Sequence, residues 1–373
     1  MEKLKVAVIS CGMIANTGHL PAYRYYNDRC EVCAVCDLNE KAAEETAKRF
    51  GVASWYTDAE KMLAAEKPDL VSVCVPNGLH KPMTMLALSY GAHVLCEKPV
   101  ALYYDDAREM YNEAARLHKT LVASQVVRYY PEFQFAREMY DQGIPGEIYY
   151  AEFSLIRRRG IPKWGAFHKK SASGGGVLCD LGVHMIDAAL WVMGNARVKS
   201  VSGMTSSYLA KYEPDIVTSL KESGAPAGVF TRQAYKPEEF EVEEFACGSM
   251  RLENGCQMNF KTSWAVNLPP EYSMHLAGTK AGILLPENRI LGTMGRYQAD
   301  IEPRTFPEEA PFAGEVFPGH FLLIGNVLDH IQDDAPLLIL PEQTLHVTAI
   351  IEAFYRSAGS GKEVLLTEIE KRK

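Results

Sequence analysis

The sequence predicts an α/β protein in two parts. An N-terminal doubly wound parallel sheet is followed by an α+β domain with a large, mostly antiparallel open sheet. Three observations predict this. At 373 residues the chain is long enough for two domains of roughly 150 residues each. Residues 1–125 alternate short, near-continuous runs of Val, Ile, Leu, Ala and Cys with helix-length patterns, as parallel strands covered by helices on both faces do. Across residues 126–373 the apolar runs lengthen, partly alternate, and are broken by hairpin signals such as Asn254–Gly255.

In order, the strand expectations in the first part are Lys5–Ser10, Glu31–Asp37, Leu70–Pro76, His93–Cys96 and Thr120–Ser124. The helices between them are Glu40–Phe50, Asp58–Glu66, Pro82–Tyr90 and Asp105–Leu117. Crossovers between parallel strands are right-handed. A helix over Pro131–Tyr140 and a turn at Gln142–Gly146 lead into the second part. Its strands are expected at Ile148–Ile156, Val198–Tyr208, Val242–Glu253, Cys256–Ala265 and Tyr272–Leu285. Helices are expected at Leu181–Met193, His320–Gln332 and Pro341–Ser357, the last two free to pack back on the first domain. Residues 210–240, rich in Pro, Gly and charge, read as a long loop or insertion, and there is no internal repeat.

Composition excludes several classes. With 47% apolar and 23% charged residues the chain is an ordinary globular protein, not a disordered or fibrous one. A net charge of −8 with no basic block argues against a nucleic-acid partner. No uninterrupted apolar run approaches the ~20 residues that cross a bilayer, so no membrane partner is expected. The start, Met1–Lys5 running into Val6–Ile9, has strand length rather than the form of a secretory leader, and a cytoplasmic location is expected. The odd number of cysteines, nine, fits reduced, buried thiols. Cys30, Cys33 and Cys36 have the C-x2-C-x2-C spacing of some cluster ligands. On a strand, however, Cys33 and Cys36 point to opposite faces, and no fourth cysteine follows at ligand spacing, so no metal is expected.

The turn after the first strand reads Ser10–Cys11–Gly12–Met13–Ile14–Ala15. A dinucleotide fingerprint, G-x-G-x-x-G/A, is met there by Gly12 and Ala15, with Ser10 in place of the first glycine. Asp37, at the end of the second strand, is placed to accept from both ribose hydroxyls. Its carboxylate disfavours a 2′-phosphate and no arginine follows it, so NAD is expected rather than NADP. Pro76–Asn77–Gly78–Leu79–His80 and Glu97–Lys98–Pro99 end two further strands, at the edge where parallel sheets bind ligands. A lysine at the end of a buried strand is costly unless it is paired or used.

These segments, together with Gly174–Gly175–Gly176–Val177–Leu178–Cys179–Asp180–Leu181–Gly182–Val183–His184, resemble the glucose–fructose oxidoreductase / inositol dehydrogenase / MocA (Gfo/Idh/MocA) family over nearly the whole chain. The resemblance implies a Rossmann domain binding NAD(P) and a second domain whose open sheet makes contacts in a homodimer or homotetramer. It further implies that Ser10, Gly12, Met13 and Ile14 meet the pyrophosphate and Asp37 the adenosine ribose. Pro76, Asn77 and His80 would line the nicotinamide side, with Glu97 and Lys98 by its ribose and ring.

Asp180 and His184, spaced i, i+4 at a helix start, fall on one helical face. The glycines beside them would let a ligand approach closely. Oxidising a carbinol requires a base for the hydroxyl proton, and His184 titrates in the right range. Asp180 would orient that imidazole or bind substrate, and Lys98 would polarise the reacting oxygen as it gains alkoxide character. The resemblance implies the same Lys–Asp–His trio. Arg159 and Trp164, within Arg157–Gly165, are candidate substrate contacts through guanidinium hydrogen bonds and aromatic stacking, and the resemblance implies that Arg128 and Tyr129 lie beside the active site as further candidates. His19 reads as a capping or packed residue.

The residues argue for oxidation of a carbinol with NAD; the resemblance implies that the carbinol is a secondary hydroxyl of a sugar, glycoside or cyclitol, with C3 of a sugar favoured by Trp164 and the arginine run. Two alternatives are a glycoside hydrolase working through transient oxidation and elimination, and a non-catalytic nucleotide-binding regulator. No P-loop or G-x-S-x-G elbow is present.

Overall fold

The computed structural model describes residues 3–212, 216–219, 221–225, 236–304, 312 and 314–371. Much of the expected 210–240 loop, residues 213–215, 220 and 226–235, lies outside them. Two compact units divide the chain: Met1–Val126 with Ala310–Leu345, and Val127–Glu309 with His346–Lys373. Residues 310–345 therefore belong with the first unit rather than with an unbroken 126–373 domain.

In the first unit six parallel strands are ordered β3-β2-β1-β4-β5-β6. They are β1 (Leu4–Ile9), β2 (Cys30–Cys36), β3 (Ser54–Tyr56), β4 (Leu70–Val73), β5 (His93–Cys96) and β6 (Leu121–Ala123). The order reverses beside β1, the switch point where doubly wound sheets open a ligand crevice. The helices are α1 (Leu20–Tyr25), α2 (Glu40–Phe50), α3 (Ala59–Glu66), α4 (His80–Ser89) and α5 (Tyr104–Arg116). Local chemistry sets several of their ends. Asn39 caps α2 by accepting from Ala42 N–H, Gly51 ends it at φ 70°, and Asp58 caps α3 through Glu60 and Lys61 N–H. Fully buried Ala7, Ala34, Val71, Val73 and Cys96 form the sheet's part of the core. The strand β3 carries no sequence signal because three residues are too few for a periodicity.

The second unit begins with α6 (Pro131–Asp141) and holds a nine-stranded sheet of order β14-β13-β12-β11-β7-β10-β9-β8-β15. Its strands are β7 (Ile148–Ile156), β8 (Val198–Ser206), β9 (Phe245–Leu252), β10 (Gln257–Ser263), β11 (Glu271–Gly278), β12 (Gly282–Leu285), β13 (Arg289–Met294), β14 (Tyr297–Ile301) and β15 (Val364–Leu365). Neighbours are antiparallel except β7 with β10. The expected strand Tyr272–Leu285 is two strands, because Thr279 and Lys280 N–H are taken by the Glu147 and Pro145 carbonyls and the chain folds back there.

One face of this sheet is buried through Ala151, Phe153, Met258, Phe260, Met274 and Leu276. Its helices are α7 (Lys170–Ser173), α8 (Val183–Val192) and α9 (Tyr208–Tyr212). The helical stretch Lys170–Val192 is apolar enough to cross a membrane by length and composition, at mean hydropathy 1.3. Yet 89% of it is buried within the protein, as befits a core helix.

The C-terminal helices are α10 (Pro318–Asp333), α11 (Pro341–Ser360) and α12 (Thr367–Glu370). Within the first unit, α10 is tied down by Arg29, which bonds Asp329 at 2.6 Å and Gln332 at 2.8 and 3.1 Å. A side chain at Gly325 would meet the Tyr26 hydroxyl at 2.5 Å, so glycine is what lets this helix approach.

Candidate active site

At the end of β1, Ser10 adopts φ 79°, the left-handed conformation that glycine supplies in the fingerprint. The small serine tolerates it. Gly12 is exposed, and only Ser10 Oγ, at 3.6 Å, comes near where its Cβ would sit. Half-buried Met13 and Ile14 open the following helical run, whose first-turn N–H groups have no acceptor within a helix. Asp37 is folded onto this turn: its carboxylate accepts from Cys11 N–H at 2.8 Å and from Asn39 N–H at 2.9 Å. A strained turn, an open glycine, unused helix N–H groups and an acid ending β2 fit a dinucleotide's diphosphate and ribose.

At the carboxyl end of β5, Lys98 is half-buried and Glu97 is buried. Three residues converge there that the sequence reading had not joined. Glu97 Oε1 lies 2.9 Å from His19 Nε2 and 3.2 Å from His320 Nε2, and Oε2 accepts the Lys98 backbone N–H at 3.2 Å. Burial alone would raise the Glu97 carboxyl, but the two imidazole hydrogen bonds outweigh it and hold the group well below its usual range. His19 is thus packed, as expected, but not idle. No local signal could have found His320, 223 residues from its partner.

His80, expected beside nicotinamide, is fully buried instead. Its Nδ1 lies 2.7 Å from the Pro99 carbonyl and its Nε2 2.9 Å from that of Val75. It fastens the loop after β4 to the loop after β5. Pro76 is exposed and Asn77 half-buried in the same loop.

In the second unit Asp180 lies in a π-helical turn, Leu178–Gly182, that leads into α8, and His184 is the second residue of α8. Such single π-turns are frequent at functional sites. Trp264 Nε1, fully buried, donates to Asp180 Oδ2 at 2.9 Å. Arg157 also faces this carboxylate electrostatically; burial lowers its guanidinium pKa and Asp180 partly restores it.

The glycines upstream serve protein packing rather than ligand approach. A Cβ on Gly175 would lie 2.0 Å from the Tyr355 hydroxyl, one on Gly176 1.9 Å from the Glu243 carbonyl, and one on Gly182 2.7 Å from Leu178 Cδ1. Glu243 accepts from Gly176 N–H at 3.0 Å, Leu178 N–H at 3.1 Å and Tyr355 O–H at 2.8 Å. Glu243, Tyr355 and Trp264 therefore shape this segment, and sequence reasoning missed all three.

Two expected substrate contacts are corrected and a third is engaged locally. Arg128 is 1% exposed and grips Asp187, also 1% exposed, through bonds of 2.7 and 2.6 Å. Such a guanidinium is spent on its partner. Trp164 is buried at 8% exposure, edge-on to Phe167, and so presents no open face for a sugar. Arg159 bonds the Arg158 and Val266 carbonyls and the Asn267 side chain, while Tyr129 remains half-buried. None of the nine cysteines is in a disulfide; Cys30 and Cys36 are buried, and Cys33 Sγ bonds the Val6 carbonyl at 3.2 Å.

A parallel sheet in Rossmann order, a diphosphate-shaped turn and a lysine at the sheet's carboxyl edge define the class: a dinucleotide-dependent oxidoreductase. Residues 4–125 match the oxidoreductase family with an NAD-binding Rossmann fold, and residues 133–284 match the GFO/IDH/MocA C-terminal domain. The chain belongs to the GFO/IDH/MocA family. It is 32% identical over 366 residues to D-glucoside 3-dehydrogenase of Escherichia coli (strain K12), covering 97% of each chain. It is 28% identical to D-apiose dehydrogenase of Paraburkholderia graminis, over 68% of each. A levoglucosan dehydrogenase solved with NADH and levoglucosan shares the fold at TM-score 0.81 and 18% identity, covering 98% of this chain and 100% of that one.

Proposed function

We propose that this chain is an NAD-dependent dehydrogenase acting on a secondary hydroxyl of a sugar or glycoside, with C3 of a glucoside the first candidate. The observation that carries the reading is Lys98, rooted directly at the end of β5 where a parallel sheet presents its ligands. Near-full-length similarity to a glucoside 3-dehydrogenase supports the substrate class and the position.

NAD, when bound, supplies the hydride acceptor. Gly12, Met13 and Ile14 hold the diphosphate through backbone N–H groups, and Asp37 accepts from the ribose hydroxyls. Lys98 donates to the reacting oxygen as it gains alkoxide character, the electrostatic stabilisation such a reaction most needs. His184 takes the hydroxyl proton. Asp180, kept in place by the Trp264 indole, orients that imidazole or accepts from a neighbouring substrate hydroxyl. Tyr129 stays a candidate substrate contact. The half-exposed polar sheet face, with Tyr150, Glu152, Lys261, Glu271 and His275, is the proposed contact in a homodimer or homotetramer, and the cytoplasm the proposed location.

A panel of glycosides, sugars and cyclitols with NAD, followed by NADH absorbance, tests the activity. Lys98→Met and His184→Ala are expected to bind NAD and lose about 10²- to 10⁴-fold in kcat. Unchanged turnover in either would refute the mechanism. Glycoside cleavage without NADH accumulation would favour oxidation–elimination–reduction instead.

A further inference from the structure

The cluster around Glu97 does more than fill space. Its outermost member is Tyr23, 1% exposed, whose hydroxyl lies 2.7 Å from Ser72 Oγ. Ser72 Oγ lies 3.0 Å from His19 Nδ1, and both residues are fully buried. An ionised Glu97 requires a donor at His19 Nε2, and for a neutral imidazole that sets the direction of the protons behind it. Tyr23 donates to Ser72, Ser72 donates to His19 Nδ1, and His19 Nε2–H donates to Glu97 Oε1. His320 adds a second donor from α10, and its Nδ1 has no partner among the described residues, as suits the neutral Nε2–H form. The approach of His320 is built in, since a Cβ on Gly18 would lie only 3.0 Å from its ring.

We infer that His19 and His320 are positioning residues for Lys98: by occupying Oε1 of Glu97 they turn Oε2 onto the Lys98 backbone N–H and fix the stem of that side chain. The inference rests on the catalytic reading of Lys98. A segment far along the chain, α10, thereby sets the geometry at the end of β5. The three groups are also close enough to hold a metal ion, their ligand atoms lying within 4.8 Å of one another. The hydrogen-bond reading is favoured because both imidazole Nε2 atoms approach one and the same oxygen, Oε1, at 2.9 and 3.2 Å, the spacing of donors to an acceptor.

The test exploits the carboxylate. The other titratable groups facing Glu97 are Cys74, Cys96 and His80, which burial drives toward their neutral forms, while the charge of Lys98 acts on His80 and His320. Removing a donor raises a buried carboxyl's pKa, so His320→Leu should move the acid limb of kcat/KM to higher pH and lower kcat by about 10- to 100-fold. Gly18→Ala, which displaces the ring without deleting it, should shift the limb the same way. His320→Gln, which keeps an N–H near Nε2, should restore the wild-type profile.

A carbon-13 titration of the Glu97 carboxyl, assigned with Glu97→Gln, reads the network without turnover. It should show the carboxylate ionised throughout the acid range in wild type and a raised midpoint in His320→Leu. Equal kinetic losses in the Leu and Gln variants with an unmoved acid limb and titration would overturn the inference, as would one equivalent of tightly bound zinc. Full turnover by Lys98→Met would instead sink the proposed function, with the Glu97 titration still deciding the network.

Discussion

Arg128 and Asp187 offer the sharpest separation of structural from ligand-binding roles. Each is 1% exposed, and they share two bonds of 2.7 and 2.6 Å. The Arg128 guanidinium also lies 6.0 Å from the Trp191 ring centroid. Asp187→Ala takes the carboxylate from a guanidinium that is 1% exposed. The expected loss is about 3–5 kcal/mol, because the uncompensated charge costs more than the pair contributed. Arg128→Leu strands the carboxylate and should cost a similar amount. Replacing both, Arg128→Leu with Asp187→Leu, removes two desolvation penalties together and should recover most of the loss. Urea unfolding followed by tryptophan fluorescence reports mainly on this unit, since three of the four tryptophans, Trp164, Trp191 and Trp264, lie in it, and Trp55→Phe removes the fourth from the signal. The exposed pair Arg251–Glu363, 3.6 Å apart in the same unit, serves as control, and its disruption should leave the midpoint in place. If instead the single variants keep their stability and raise KM for the glycoside, Arg128 is a substrate ligand and the structural argument fails.

Cofactor choice should follow Asp37: Asp37→Ser is expected to weaken NAD and narrow the preference over NADP, read as kcat/KM for each; an unchanged ratio would place the ribose elsewhere. Gly176→Ala should abolish soluble expression or activity, because its Cβ would strike the Glu243 backbone carbonyl. Gly175→Ala, whose Cβ would strike the Tyr355 hydroxyl and ring and Cys179 Sγ, should likewise lower soluble yield and turnover, and wild-type values for both would refute the packing role. His93 is pulled down to about 4 by burial, with Lys119 and His330 adding to the effect, and its Nδ1 must stay unprotonated to accept Thr120 N–H at 3.0 Å. The unfolded chain therefore binds this proton first. Stability contributed here is complete above pH ~6.5 and is lost as pH falls toward 4. A ring titration of His93 by NMR checks the value, and His93→Leu should flatten that part of the stability profile.

Much of the fold was legible because its determinants are local. Near-continuous apolar runs marked β1, β2, β4, β5 and β6 to within a few residues, and α2 runs over Glu40–Phe50 as its pattern predicts. The sequence alone determined the alternation of strands and helices, the fingerprint turn, Asp37 at the end of β2 and Lys98 at the end of β5. Periodicity and capping act over a few positions and can be read in one dimension. Tertiary structure decided the rest. It brought His19 and His320 onto Glu97 across 78 and 223 residues, and committed Arg128 to Asp187. It buried Trp164, and it spent the glycines at 175 and 176 on Tyr355 and Glu243. The physical reason is that burial and pairing belong to three-dimensional neighbourhoods. The same arginine or tryptophan reads alike in a string whether it will face a sugar or a buried carboxylate, and only the packed chain settles how much water is left beside it.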